Sequence, residues 1–257
     1  MLSEDLPEDT KQELRERLYR RRYIVPNAVT LGNMFCGYLA IMYATGERFD
    51  KAILAIAIAI LMDGLDGRVA RKLNATSKFG MEFDSFSDVV SFGVAPAVVM
   101  YFWGFHALAD EFGVFATFIY TLCAASRLAR FNIADPNLKS FTGLPTPGAA
   151  GFVVAVVNFL PRPEPSYYVI AIATLVMLSL AYLMVSKIEF FSIKTLKMQN
   201  LKFGGRVTLG ALIALVWYNS RIGVLALALL YCMSGPVGVF RRKRGIVPTS
   251  NTTSQAA

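Results

Sequence analysis

Apolar residues run along this chain in blocks of close to bilayer-spanning length, separated by short polar segments. About 20 apolar residues suffice for one membrane-crossing helix. The pattern predicts eight spans, at 25–45, 50–70, 85–105, 112–132, 145–161, 166–186, 206–220 and 222–240. The fifth and seventh are short, and the break between the last two, Asn219 to Arg221, is tight. The expected fold is an all-α integral membrane protein. Upstream, residues 8–23 lead with acids and trail with bases, which suits a helix dipole, and Leu14 and Leu18 supply a narrow apolar stripe. An amphipathic helix on the membrane surface and a solvated charged tail both fit that pattern. Pro26 and Asn27 open the first span. The chain then divides into a juxtamembrane segment 1–24, a core 25–190, a linker and hairpin 191–240, and a polar tail 241–257 expected to be disordered.

Charge orients these spans. With the N-terminus in the cytoplasm, 22 of the 26 Lys and Arg residues fall on the inner side, and Arg48, Lys51, Arg162 and Arg221 fall outside. The positive-inside rule therefore puts both termini in the cytoplasm of a cell or inner-membrane protein. The net charge of +8 reads as orientation plus attraction to anionic lipid. It does not read as nucleic-acid binding, because the bases flank apolar spans and form no separate basic domain. A hydrophobic content of 55% argues against a soluble globule. Cys36, Cys123 and Cys232 are far apart, lie in predicted spans and form no CxxC, so they read as small buried apolar residues. The charged residues 1–23 do not resemble a signal peptide.

Four aspartates break the apolar pattern: Asp63, Asp66, Asp84 and Asp88. A charge at membrane depth costs roughly 2.5–3.5 kcal/mol on insertion scales, so four together need a compensating partner. Residues three and four apart share a helix face, which puts Asp63, Asp66, Gly67 and Ala70 on one face of span two. Asp84 and Asp88 share a face of span three. The two spans run antiparallel, so both acid pairs lie at the cytoplasmic end. Oxygen-only ligands select hard cations such as Mg²⁺, Mn²⁺ or Ca²⁺. Two such ions can clamp both sides of a phosphoryl displacement. Gly67, Ala70 and Gly80 leave space for a bulky substrate against the backbone. Asp88, one turn deeper than Asp84, is the candidate general base. The alternative is that single aspartates cap helices or pair with Arg68, Arg71 or Lys72. The one histidine, His106, falls on the far side, which argues against His-dependent chemistry. A cation transporter is the remaining non-enzymatic reading, opposed by acids clustered at one leaflet and by the lack of an inverted repeat.

The stretch DGLDGRVAR, eight residues, then GMEFDSFSD resembles the signature of the CDP-alcohol phosphotransferases, matching it at every fixed position. That resemblance implies a six-helix core, here with an added C-terminal hairpin, which is usually dimeric. It implies transfer of a substituted phosphate from a CDP-linked donor to an alcohol with release of CMP. It implies two divalent cations, Mg²⁺ or Mn²⁺, held by the four aspartates, with Asp88 deprotonating the hydroxyl. Three further stretches, VPNAVTLGNMFCGYLAI at 25–41, SRLARFN at 126–132 and FTGLPTPGAAG at 141–151, are similar to the serine-using branch of that family in bacteria and archaea. The implied substrates are CDP-diacylglycerol and L-serine. Other acceptors, glycerol 3-phosphate or an inositol compound, stay open. By the same resemblance Asn27 and Thr30 contact the nucleotide, with Asp63, Gly67, Ala70, Arg71 and Gly80 completing the donor site. Arg127, Arg130, Asn132 and Lys139 are candidates for the acceptor, since a serine carboxylate wants a guanidinium or ammonium. The three cations are also what the positive-inside rule alone predicts.

Overall fold

The computed structural model describes residues 8–72, 77–133, 143–188 and 219–243, with the side chains of 8–25, 70–71 and 237–243 outside that description. The described residues are helical, in the order α1 (Glu8–Thr45), α2 (Phe49–Lys72), α3 (Lys78–Asp88), a π-helical segment (Val89–Val94), α4 (Ala95–Gly104), α5 (Asp110–Ile133), α6 (Thr146–Phe159), α7 (Tyr167–Val185) and α8 (Ser220–Lys243).

Among the described residues, four stretches are long and apolar enough to cross a membrane: Pro26–Thr45, Lys78–Gly104, Asp110–Ile133 and Tyr167–Val185. Two shorter apolar helices, Thr146–Phe159 and Ser220–Pro236, accompany them. α2 has the length, but Asp63, Asp66 and Arg68 interrupt its apolar run. The span read at 206–220 lies outside the described residues. Large apolar side chains such as Leu31, Phe35, Leu54, Leu61, Phe118, Leu122 and Leu175 are exposed on the helix surfaces. This is the pattern of a membrane protein, whose outer surface faces lipid and needs no polar coat.

One expectation changes. The juxtamembrane segment and the first span form a single helix, and Pro26 lies within it. Proline lacks the N–H for the carbonyl four residues back, yet its fixed φ is helical, so the helix continues with one bond fewer.

Small residues let the helices approach. Ala40 and Ala44 on α1 and Ala52, Ala55, Ile56 and Ala59 on α2 are buried together in the core. α1 packs most extensively on α2 and also meets α3, the π segment and α4; α6 packs on α2, and α8 packs on α6. Without a hydrophobic drive between helices in lipid, such close alanine contacts carry the association. α5 begins with Asp110 and Glu111 and carries Arg130 in its last turn, each favourable to the helix dipole. Gly143 sets the start of α6. It has φ +88°, and a Cβ there would lie 2.3 Å from the Met184 carbonyl oxygen. Its N–H donates to Ile188 O at 2.8 Å, and that of Leu144 to Leu183 O at 3.0 Å. These bonds dock the Pro-Thr-Pro entrance of α6 on the end of α7.

Candidate active site

One stripe of α1 builds the site. Thr30, Asn33 and Gly37 recur three and four residues apart and so share a face. Asn33 is fully buried, and its Nδ2 donates to Asp88 Oδ1 at 3.3 Å. Thr30 Oγ1 lies 3.2 Å from Pro26 O and 3.4 Å from Asp66 Oδ2. Its single hydroxyl hydrogen serves one of them at a time. The neighbouring helix answers with its own hydroxyls: Ser87 Oγ donates to Thr30 O at 3.2 Å and Ser91 Oγ to Asn33 O at 3.0 Å. At Gly37 a Cβ would lie 2.7 Å from the Ser91 Cα, so only glycine permits this crossing. The spine thus binds α2 and α3 at once, and it fixes their aspartates relative to each other.

Asp63, Asp66 and Asp84 each offer a carboxylate oxygen, and these atoms lie within 4.8 Å of one another. Asp66 is 4% exposed. Asp84 Oδ1 is buried with no hydrogen-bond partner. Asp88, 8% exposed, stands outside the trio, within electrostatic range of all three. Converging carboxylates repel unless a cation lies among them, and a buried carboxylate oxygen without a partner is costly. An all-oxygen donor set with such an orphan fits a hard divalent cation.

The donor-site candidates divide. Ser77 caps α3 by accepting from Gly80 N at 2.9 Å. A Cβ at Gly80 would lie 3.1 Å from Ser77 Oγ and 3.4 Å from Asn27 Oδ1. Gly80 therefore brings the start of α3 against Asn27. Gly67 follows Asp66 in α2, and its N–H points to Asp66 Oδ1 at 2.5 Å. The side chains of Ala70 and Arg71 lie outside the described residues.

Directly after Asp88 the helix widens into the π segment. Such turns often sit at functional sites because they re-aim neighbouring side chains. Pro96 ends it by chemistry: with no N–H it cannot extend the ladder to Ser91 O five residues back, nor give Phe92 O its α-helical donor. Tyr120 of α5, fully buried, donates its hydroxyl to that Phe92 carbonyl at 3.1 Å. Thr121 Oγ1 reaches Gly93 O at 3.5 Å.

The acceptor candidates also divide. Arg127 is largely buried, and its Nη1 donates to Thr146 Oγ1 at 3.3 Å. Its Nε is buried without a hydrogen-bond partner, and Asp88 and Asp63 lie within its electrostatic range. Arg130 is exposed and donates to Val185 O at 3.3 Å. Asn132 is exposed on Ser85, with Nδ2 to Ser85 Oγ at 3.0 Å, and lies 3.5 Å from Glu82 Oε2. Lys139 lies outside the described residues. Sequence reasoning missed Asn33 and Thr146. An asparagine at membrane depth, three residues after Thr30, was the available signal for the first. Thr146 carried no such signal, since its role depends on Arg127 reaching it from another helix.

A family model described as CDP-alcohol phosphatidyltransferase matches residues 23–185. A CDP-diacylglycerol–serine O-phosphatidyltransferase of Bacillus subtilis is 38% identical over 180 residues, covering 70% of this chain and 97% of that protein. One of Helicobacter pylori is 40% identical over 191 residues, covering 70% of this chain and 76% of that protein. An archaetidylserine synthase of Methanothermobacter thermautotrophicus is 35% identical over 171 residues, covering 65% and 69%.

Proposed function

The chain belongs to the CDP-alcohol phosphatidyltransferase family, and from that premise we propose that it transfers the phosphatidyl group of CDP-diacylglycerol to the hydroxyl of L-serine, giving phosphatidylserine and CMP. The observation that carries the chemistry is the trio Asp63, Asp66 and Asp84 beside a separately held Asp88. Serine as acceptor is supported by relatives whose names all specify a seryl product or substrate.

In this reading Asp63, Asp66, Asp84 and Asp88 surround two divalent cations, Mg²⁺ or Mn²⁺. Bound there, such ions neutralise phosphate charge and polarise the phosphorus centre. The chain itself positions the rest. Asn33 occupies Oδ1 of Asp88, leaving Oδ2 to take the proton from the serine hydroxyl. The serine oxygen attacks the phosphorus that bears the diacylglycerol oxygen. The bond to CMP breaks, and CMP leaves with the electron pair. Asn27, Thr30, Gly67, Ala70, Arg71 and Gly80 form the donor site. Arg127 is the best-placed partner for the serine carboxylate because it keeps a buried N–H without an acceptor; Arg130, Asn132 and Lys139 are the further candidates for the acceptor.

The protein works in the cell (inner) membrane as a homodimer, with eight spans, the site on the cytoplasmic side and both termini there. Lys72 follows Asp63 and Asp66 at the end of α2, Lys78 precedes Asp84 and Asp88 at the start of α3, and Arg130 lies in the last turn of α5, where Asn132 reaches Ser85, which supports that orientation.

The test is CMP release by purified protein in detergent with CDP-diacylglycerol and Mn²⁺ or Mg²⁺, adding serine, glycerol 3-phosphate or inositol in parallel. Stimulation by serine alone is the expected result. Stimulation by another alcohol would keep the mechanism and replace the acceptor, and no metal-dependent release with any acceptor would overturn the reading.

A further inference from the structure

The family match ends at residue 185, and α8 begins at Ser220, well beyond it. By sequence α8 is an appendage. In the structure it packs on α6. Its Tyr231 is partly buried against the core and Cys232 is within it. The contact falls at the start of α6: a Cβ on Gly148 would come within 2.7 Å of Tyr231 Cε1, so a side chain there would displace the ring.

Two residues earlier, fully buried Thr146 accepts the hydrogen bond from Arg127 Nη1. Arg127 and the Tyr231 phenol lie within electrostatic range of each other. Three helices therefore meet around one guanidinium. α5 supplies it, α6 anchors one of its nitrogens at Thr146, and α8 packs the Tyr231 ring on the same turn of α6, at Gly148. The Nε hydrogen remains buried and unspent. A guanidinium is a planar fork that binds carboxylates, so a ring packed on the turn that anchors it restricts where the fork can point.

We propose that α8, through Tyr231, positions Arg127 for the carboxylate of the acceptor. This rests on Arg127 being the carboxylate partner in the reading above. Tyr231 is thus a positioning residue for acceptor recognition that lies outside the matched family core. The aromatic ring does the positioning, so phenylalanine preserves it and an aliphatic side chain of similar bulk does not.

The experiment uses full-length protein carrying Tyr231→Phe, Tyr231→Leu, Tyr231→Ala, Arg127→Ala, or Arg127→Ala with Tyr231→Leu. Apparent KM values for serine and for CDP-diacylglycerol are measured separately, beside the thermal unfolding midpoint. Tyr231→Leu should raise the serine KM about tenfold and leave the CDP-diacylglycerol KM near wild type. Tyr231→Phe should stay within about twofold of wild type in both, and the double variant should be no worse for serine than Arg127→Ala alone, because Tyr231 acts through Arg127. A wild-type serine KM in Tyr231→Leu would overturn the proposal, as would a full additional loss in the double variant. If Tyr231→Ala loosens α8 and lowers the unfolding midpoint, Tyr231→Leu still decides. Arg127→Ala with an unchanged serine KM would remove the foundation on Arg127. Wild-type protein with no serine-dependent release would instead overturn the reaction itself.

Discussion

Asp88 takes its orientation from a neutral amide across a helix interface, and that has a measurable consequence. Asn33 Nδ2 is fixed on Asp88 Oδ1, while Ser91 holds the Asn33 carbonyl. Asn33→Ala removes the amide without touching the trio of carboxylates. It is expected to lower kcat by about 10–100-fold, the usual cost of losing a group that orients an active-site ligand, with both KM values near wild type. A kcat within twofold of wild type would show that Asp88 needs no such support. Asp66→Ala and Asp84→Ala act on the carboxylate trio itself. Each should reduce CMP release by roughly 10³-fold or more while the protein still inserts. Full activity in either would mean that the carboxylate cluster serves another purpose. The four aspartates were legible from spacing alone, because i, i+3 and i, i+4 relations are set by one helix's geometry. Asn33 pairs with a residue 55 positions away, and no local rule gives that distance.

At the scale of elements, the π segment is where local sequence and tertiary packing meet. Pro96 leaves the Phe92 carbonyl without its α-helical donor, and Tyr120 of α5 supplies a hydroxyl in its place. Tyr120→Phe keeps the ring and deletes the bond. It should destabilise the protein by about 1–3 kcal/mol, the cost of an unsatisfied buried acceptor, and lower the thermal unfolding midpoint in detergent. Unfolding indistinguishable from wild type would show that another donor takes over. The apolar pattern predicts a span at 85–105, and the structure has one helical path from Lys78 to Gly104 with the π turn inside it. Hydropathy registers length and greasiness, but a wider turn depends on which carbonyls lose their donors and which neighbours replace them. Pro26 makes the same point in reverse. It reads as a span boundary, yet α1 runs through it, because proline's φ fits a helix and one missing bond is tolerated.

At the scale of the whole molecule, the helices work as a frame that holds like charges together. Such a frame is strained without counter-charge, so a chelator should abolish CMP release, and added Mg²⁺ or Mn²⁺ should restore it. Retention of activity after exhaustive chelation would argue that the site does not depend on exchangeable cations. The charge distribution makes a separate demand. Tags placed at the two termini should both be protected in right-side-out vesicles and both exposed in inverted ones, whereas opposite accessibility would break the even-span topology.

The chain alone determined that this is a helical membrane protein and that its four aspartates fall in two pairs, each sharing a helix face. Each of these follows from transfer free energy or from helical repeat, which act locally. The structure decided which partners meet across helices: Asn33 with Asp88, Tyr120 with the π segment, Arg127 with Thr146, and Tyr231 of the C-terminal helix with the start of α6. These contacts depend on crossing positions set by where glycine and alanine let backbones approach, and that geometry is a property of the assembled bundle.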